Sequence, residues 1–376
     1  MARMRLIVAS GALVAFVWSA SGAHAVPDSA VLPIEQCQLP GRADLQVSLG
    51  FVRPEIRVPS RGRVRAKIVL VDFADAQAKA QLREQAVQTV RSVGAFLTAA
   101  SYGRFHLVAD ITERWVRMPH TAALYSAQDD GTYDAQKQYI ADAVAASGVD
   151  LLGVDVLIVV ASFNIGGMAG GTAFVPLPEG DVSDGRLIDN ALTVGTIRDG
   201  TDAGVLAHEF LHTLGLEDLY ASVARPGEDY PYTGPFSLMA DVAAMSPSPT
   251  AWERWVLGWV DDSQVRCIGP GTSTVSLTPI EVAGGMKAAV APISAQSAVV
   301  VESRASIGSD RRGPAGVIVY LVDPTKEGGQ GPIRMARRAG SVMTPLGAGQ
   351  SITLRGVGVT VLADGRVRVV VPERPA

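Results

Sequence analysis

Eleven consecutive residues, His208-Glu209-Phe210-Leu211-His212-Thr213-Leu214-Gly215-Leu216-Glu217-Asp218, constrain this chain more than any other stretch. On an α-helix, side chains four apart lie one turn apart on the same face. His208 and His212 can therefore aim two imidazoles at one point, the geometry that zinc requires of nitrogen ligands. Glu209 lies one residue further round the helix, close enough to act on water at such an ion without ligating it. Gly215 can take a left-handed conformation that ends the helix and turns the chain. Asp218 then returns beneath the metal as a third ligand, and the open fourth position marks a catalytic rather than a structural site. Glu217 is an alternative to Asp218, although Asp218 has the spacing after Gly215 that suits the extended pattern. A carboxylate further downstream, Glu228, is another alternative.

The remaining pattern suggests how the chain frames this segment. Residues 66–73 (A-K-I-V-L-V-D-F) form a near-continuous apolar run of β-formers and read as a buried strand. Leu82, Ala86, Val87, Val90, Val93 and Leu97 recur at helical spacing. Strands are expected at 105–111, 115–118 and 154–161, and a second helix at 134–146. This alternation suggests an α/β layer with a mixed sheet. The glycine-rich stretch 166–171 lacks the Lys-Ser/Thr ending of a phosphate loop and is expected to be a plain loop. Ser248-Pro249-Thr250 caps a short helix stopped by Gly258, with Trp252, Trp255 and Trp259 packed in the core.

From residue 265 onward helical periodicity vanishes. Short β runs replace it at 274–278, 299–302, 317–322, 351–354, 357–362 and 367–371, and Asp364-Gly365 is a hairpin signal. A C-terminal all-β, sandwich-like domain is expected over 263–376, after a catalytic domain over 61–262. Residues 26–60 are expected to be a strap or a short propeptide.

The first 25 residues carry Arg3 and Arg5, then an apolar stretch, then Ala23-His24-Ala25, the pattern of a cleaved secretory signal. Cleavage would make a chain of formal net charge −4 more acidic. The protein is expected to be secreted, with no membrane span after cleavage. No long basic run points to nucleic acid. The two cysteines, Cys37 and Cys267, are expected to form a disulfide in an oxidising compartment. The alternatives are two free thiols, or a Cys37 that blocks the metal until it is removed.

The extended zinc segment resembles that of the metzincin metallopeptidases, whose third ligand is His or, in some families, Asp. More closely, the chain resembles the immune inhibitor A-type metallopeptidase family. The matching stretches are Val71-Asp72-Phe73, Ser101-Tyr102-Gly103-Arg104-Phe105, the zinc segment through Leu219-Tyr220, Ser237-Leu238-Met239 and Leu257-Gly258-Trp259. Val300-Val301-Glu302-Ser303-Arg304 and the run 316–323 extend the likeness beyond them. This resemblance implies a metzincin-like catalytic domain with an active-site helix, and a methionine turn at Met239 beneath the metal. It also implies an edge strand near 170–175 that pairs with extended substrate. Some metzincins carry a Tyr just after that methionine, but here Ala240-Asp241 follow, so Tyr230 or Tyr232 is the substitute to consider.

The expected function is thus a zinc-dependent endopeptidase acting on proteins or peptides, with Glu209 as general base and His208, His212 and Asp218 as ligands. An exported binding or adhesion protein with an inactive zinc site is the rival from another class. No G-x-S-x-G supports a serine hydrolase. Calcium is compatible with export, but no loop carries a recognisable calcium pattern.

Overall fold

The apolar run 66–73, expected as a buried strand, forms the second part of β1 (Gly62–Asp72) and ends one residue beyond it at Phe73; the strand's outward-facing start gives way to five consecutive buried residues. In this computed structural model, which describes residues 31–42, 47–53, 57–128, 133–162, 172–174, 190–195, 200–222, 231–245, 247–338 and 343–373, β1 is flanked on both sides. The signal segment, the glycine loop 166–171, Glu228 and Tyr230 lie outside the described residues. The chain continues through α1 (Ala80–Ala100), β2 (Phe105–Ile111), β3 (Val116–Arg117), α2 (Ala122–Gln128), α3 (Tyr133–Ser147) and β4 (Val156–Ala161). Then come β5 (Thr172–Phe174), β6 (Ala191–Val194), α4 (Gly200–Thr213) and α5 (Ala251–Val256).

The first sheet runs in the order β2-β1-β4-β6-β5, with β3 beside the end of β1. All its pairings are parallel except β5 against β6, so the sheet is mixed, with an antiparallel edge strand. Alternate side chains of β1 feed opposite faces, as the period of a strand demands. Ile68 and Leu70 pack with Val90, Val93 and Leu97 of α1 and Phe210 and Leu211 of α4. Val69 and Val71 pack with Tyr125, Tyr139 and Ile140 from α2 and α3.

The region after 262 is all-β apart from short 3-10 turns. Five strands, β7 (Val265–Cys267), β8 (Gly271–Val275), β9 (Ala288–Pro292), β10 (Ala298–Arg304) and β11 (Gly316–Val322), are followed by β12 (Ile333–Met335) and β13 (Ser351–Leu354). The last two are β14 (Val357–Val361) and β15 (Val367–Val371). They form two sheets, β12-β11-β10-β9-β7 and β13-β14-β15-β8. The expected Asp364-Gly365 hairpin joins β14 to β15, with Gly365 at φ +81°. The run expected at 274–278 pairs earlier, at β8, where Gly271 to Val275 meet β15.

Val299 and Val301 face the four-stranded sheet, giving a sandwich core. Val300, Ile318 and Tyr320, on the opposite face, join the core that contains α4 and α5. Hydrophobic contact is therefore continuous across the change in periodicity near residue 263. Among the described residues, no helix is long and apolar enough to cross a membrane.

Candidate metal centre

Helix α4 carries His208, Glu209 and His212. Its position follows from Leu206, Phe210, Leu211 and Leu214, all buried against the first sheet and α1. Phe210 meets Phe105 of β2 edge-on at 5.6 Å, and burying such a side chain is worth roughly 1.5–3 kcal/mol. The helix ends in a Schellman turn. Leu216 N donates to Leu211 O at 3.1 Å and Gly215 N to His212 O at 2.7 Å, with Gly215 at φ +106°.

The carbonyls left over at this helix end are taken up by the N-terminal strap. Val58 N donates to Thr213 O (3.2 Å) and Ser48 N to Gly215 O (3.0 Å). Arg53 Nε donates to Leu214 O (2.8 Å), and its Nη2 to Val58 O. The buried Arg57 reaches Gly215 O at 3.4 Å. Burial pulls both guanidinium groups down to about 10, still cationic at neutral pH. Cations at a helix C-terminus oppose the negative end of its dipole. The strap is also anchored by a Cys37–Cys267 disulfide and by hydrogen bonds from Trp252 Nε1 to Leu49 O and from Trp259 Nε1 to Ser60 O. The disulfide overturns two alternatives raised by the sequence, the free thiols and a Cys37 that ligates the metal.

After the turn, Asp218 folds back onto the histidines. Its Oδ1 lies 3.1 Å from Nε2 of His208 and 3.1 Å from Nε2 of His212, and the two Nε2 atoms are 3.1 Å apart. Each imidazole is oriented from behind. His208 Nδ1 donates to the Leu238 carbonyl at 3.0 Å, and His212 Nδ1 to the Leu216 carbonyl at 2.7 Å. A carbonyl can only accept, so each Nδ1 carries a proton, and a ring in its neutral form turns an Nε2 lone pair towards the shared space.

Two lone pairs and a carboxylate oxygen at these separations form a group that could hold a metal ion. Ligand atoms about 2.0–2.1 Å from a tetrahedral ion stand about 3.4 Å apart, close to the spacing seen here. Two imidazoles and a carboxylate suit zinc and other first-row divalent ions. Electrostatics reflect the same crowding. A proton on His212 Nε2 competes with a metal for this space: burial opposes that charge, but the hydrogen bond and charge of Asp218 prevail and push the imidazole up to about 9. Burial also opposes the Asp218 carboxylate, yet hydrogen bonds from histidines protonated at Nε2 hold it well below the usual carboxylate range.

Glu209 is buried, and its charge acts on both His212 and Tyr220. Glu217, in contrast, turns towards the strap, where Arg42 Nη2 meets its Oε1 at 3.2 Å. Burial raises the Glu217 carboxyl to about 7, against the pull of Arg42 and Arg57. Of the two adjacent carboxylates, Asp218 is the one that faces the histidines.

Met239 is fully buried in a tight turn, with Ala240 N and Asp241 N both bonded to Ser237 O. Leu238, in the same turn, supplies the carbonyl that orients His208, and Met239 O accepts from Leu219 N at 2.9 Å. Ser237 holds φ at 140°, an unfavourable value for a side chain-bearing residue. Its hydroxyl accepts from Met239 N and donates to Glu253 Oε1 (3.0 Å). Glu253 completes a capping box with Thr250 at the start of α5.

Residues of the all-β region then hold this segment. Glu302 Oε2 accepts from Ala251 N and from the Tyr320 hydroxyl, both at 2.6 Å. Arg304 bridges Glu302 (2.6 Å) and Asp310 (3.0 Å), and Asp310 accepts from Ser248 N (3.0 Å). A second clamp comes from the loop after β11, where Gly329 N donates to Asp218 O at 3.4 Å and Gly329 O accepts from Ser222 N at 3.0 Å.

Tyr232, considered as a reactive tyrosine, instead packs its ring under the Arg334 guanidinium at 4.9 Å. Among the described residues, the tyrosine beside the centre is Tyr220. Its hydroxyl donates to Asp218 Oδ2 at 2.9 Å, and its ring lies offset over that of His208, 21° from parallel. Of the stretch expected as a substrate-pairing edge strand, β5 is described. It lies at the antiparallel edge of the first sheet and packs against α4.

No protein-family model matches this chain, and no curated protein does. Among solved structures, it is similar to metalloproteinase-II from Bacteroides fragilis, with 14% sequence identity and a TM-score of 0.32. The match covers 61% of this chain and 60% of the length of that one.

Proposed function

We propose that this chain is an exported zinc endopeptidase related to the immune inhibitor A-type metallopeptidases. The observation that supports this most directly is the convergence of His208 Nε2, His212 Nε2 and Asp218 Oδ1 within 3.1 Å of one another, with both Nδ1 atoms committed to carbonyls. These three residues would hold the metal. When bound, a divalent ion polarises the scissile carbonyl and makes water more acidic. Glu209, next to His208 on α4, takes the proton of the attacking water on its carboxylate and delivers it to the leaving amine nitrogen. Strand β5, at the edge of the first sheet among the described residues, is where an extended peptide would add as a further strand.

Residues 61–262 form the catalytic portion and 263–376 the β portion in this reading. The strap stays with the mature enzyme, because it caps α4 and shares the Cys37–Cys267 bridge.

The test uses the secreted protein, metal analysis and casein hydrolysis. Glu209→Ala should keep its metal and lose about 10²–10⁴-fold in rate. His212→Ala and Asp218→Ala should lose the metal, whereas Glu228→Ala should retain it. A Glu209→Ala protein that cleaves casein at the parental rate would refute the general-base assignment. A wild type that binds zinc but cleaves nothing would favour a binding protein.

A further inference from the structure

Asp218 brings two oxygens to the centre and uses them differently. Oδ1 is the atom 3.1 Å from both imidazole nitrogens. Oδ2 accepts the Tyr220 hydroxyl at 2.9 Å. A carboxylate with both oxygens free can bind an ion through one or both of them. In a centre with two imidazoles, a second carboxylate oxygen would take the place that a catalytic site leaves open.

Tyr220 is well placed to prevent this. It lies two residues after Asp218, and the backbone between and around them is pinned from both sides. Leu219 N donates to Met239 O in the methionine turn, and Gly329 N donates to Asp218 O from the loop after β11. Ser222 N donates to Gly329 O just beyond. The Tyr220 ring rests beside the His208 imidazole, whose own Nδ1 is tied to Leu238 O. The phenol is therefore presented to Oδ2 by a fixed frame rather than by a free side chain.

We infer that Tyr220 is a positioning residue that holds Asp218 to a single ligating oxygen and so keeps the remaining coordination position available. This rests on the metallopeptidase reading above. Tyr220 acts through Asp218 and so differs from a tyrosine that contacts the substrate.

The test compares wild type with Tyr220→Phe, which loses only the hydroxyl, and Tyr220→Leu, which also loses the ring beside His208. Each full-length protein is stripped of metal and titrated with Co2+, whose visible absorption weakens as ligands are added beyond four. Zn2+ affinity is measured by competition with a chelator. Both variants should show a weaker Co2+ band as Oδ2 joins the ion, and a change in Zn2+ affinity of about 10–100-fold. Because Tyr220 is 41% exposed, unchanged melting of the metal-free proteins should confirm that each variant folds. Spectra and affinities identical to wild type in Tyr220→Phe would overturn the inference, as would a change seen only in Tyr220→Leu. Failure of the wild type itself to bind Co2+ through His208, His212 and Asp218 would instead refute the proposed function.

Discussion

Replacing Gly215 by Ala probes the turn that brings Asp218 back to the histidines. Two costs can be worked from the structure. The residue sits at φ +106°, where an L side chain is penalised by about 1–2 kcal/mol. A Cβ there would stand 2.1 Å from Arg57 Nη1, so the guanidinium must leave its place against the helix end. Displacing a buried charged donor from its acceptors costs about 1–3 kcal/mol more. The sum is about 2–5 kcal/mol, read as a fall in unfolding free energy of the metal-free protein by urea titration. Zinc affinity should fall too, because the Schellman turn sets the approach of Asp218. The double variant Gly215→Ala/Arg57→Ala separates the parts. Relief of the clash should make the combined loss smaller than the sum of the two single losses. A single-variant loss below about 1 kcal/mol with unchanged zinc affinity would refute the account of this turn.

Two further outcomes follow from the frame around the site. Replacing both Cys37 and Cys267 by Ser opens a loop of sequence separation 230, and unfolding free energy should drop by about 2–5 kcal/mol in urea. A drop below about 1 kcal/mol would mean that the strap is held by its hydrogen bonds alone. Burial raises the Glu253 carboxyl from 4.5 to about 6, against hydrogen bonds from Thr250 and Ser237. The folded state therefore binds more protons than the unfolded state between those values. Its stabilising share is complete below pH 4.5 and is lost as pH rises through 6, about 2 kcal/mol in all. Stability of wild type relative to Glu253→Gln should fall by that amount from pH 4 to pH 7, and a constant difference would refute the assignment.

The convergence of His208, His212 and Asp218 was legible because it is local. Helical spacing aligned His208 with His212, and Gly215 announced the reversal that carries Asp218. The role of Tyr220 was not legible, because its hydroxyl meets Oδ2 only after backbone bonds to Met239 and Gly329 have folded the loop. The sequence pointed to Tyr230 or Tyr232 instead, and Arg334, 102 positions from Tyr232 in the chain, is what draws Tyr232 elsewhere. Strands with strong β-formers, such as β1, β10 and β11, could be read directly. The run A-A-V-A-P of β9 could not, since its burial comes from β7 and β10 on either side. The change in periodicity near 263 is real. The buried Glu302, Arg304 and Tyr320 that tie the two regions together look, in sequence, like ordinary strand residues.

The Gly329 clamp on the loop that carries Asp218 has a consequence for the order in which this molecule is built. A nascent chain contains both histidines and Asp218 more than a hundred residues before the segment that grips the ligand loop has been synthesised. The strap, made first, must likewise wait for α4 to appear and for Cys267 to become available. Such distant partners close slowly, because loop entropy must be spent before any contact repays it. The candidate metal centre is therefore among the last parts of the fold to mature.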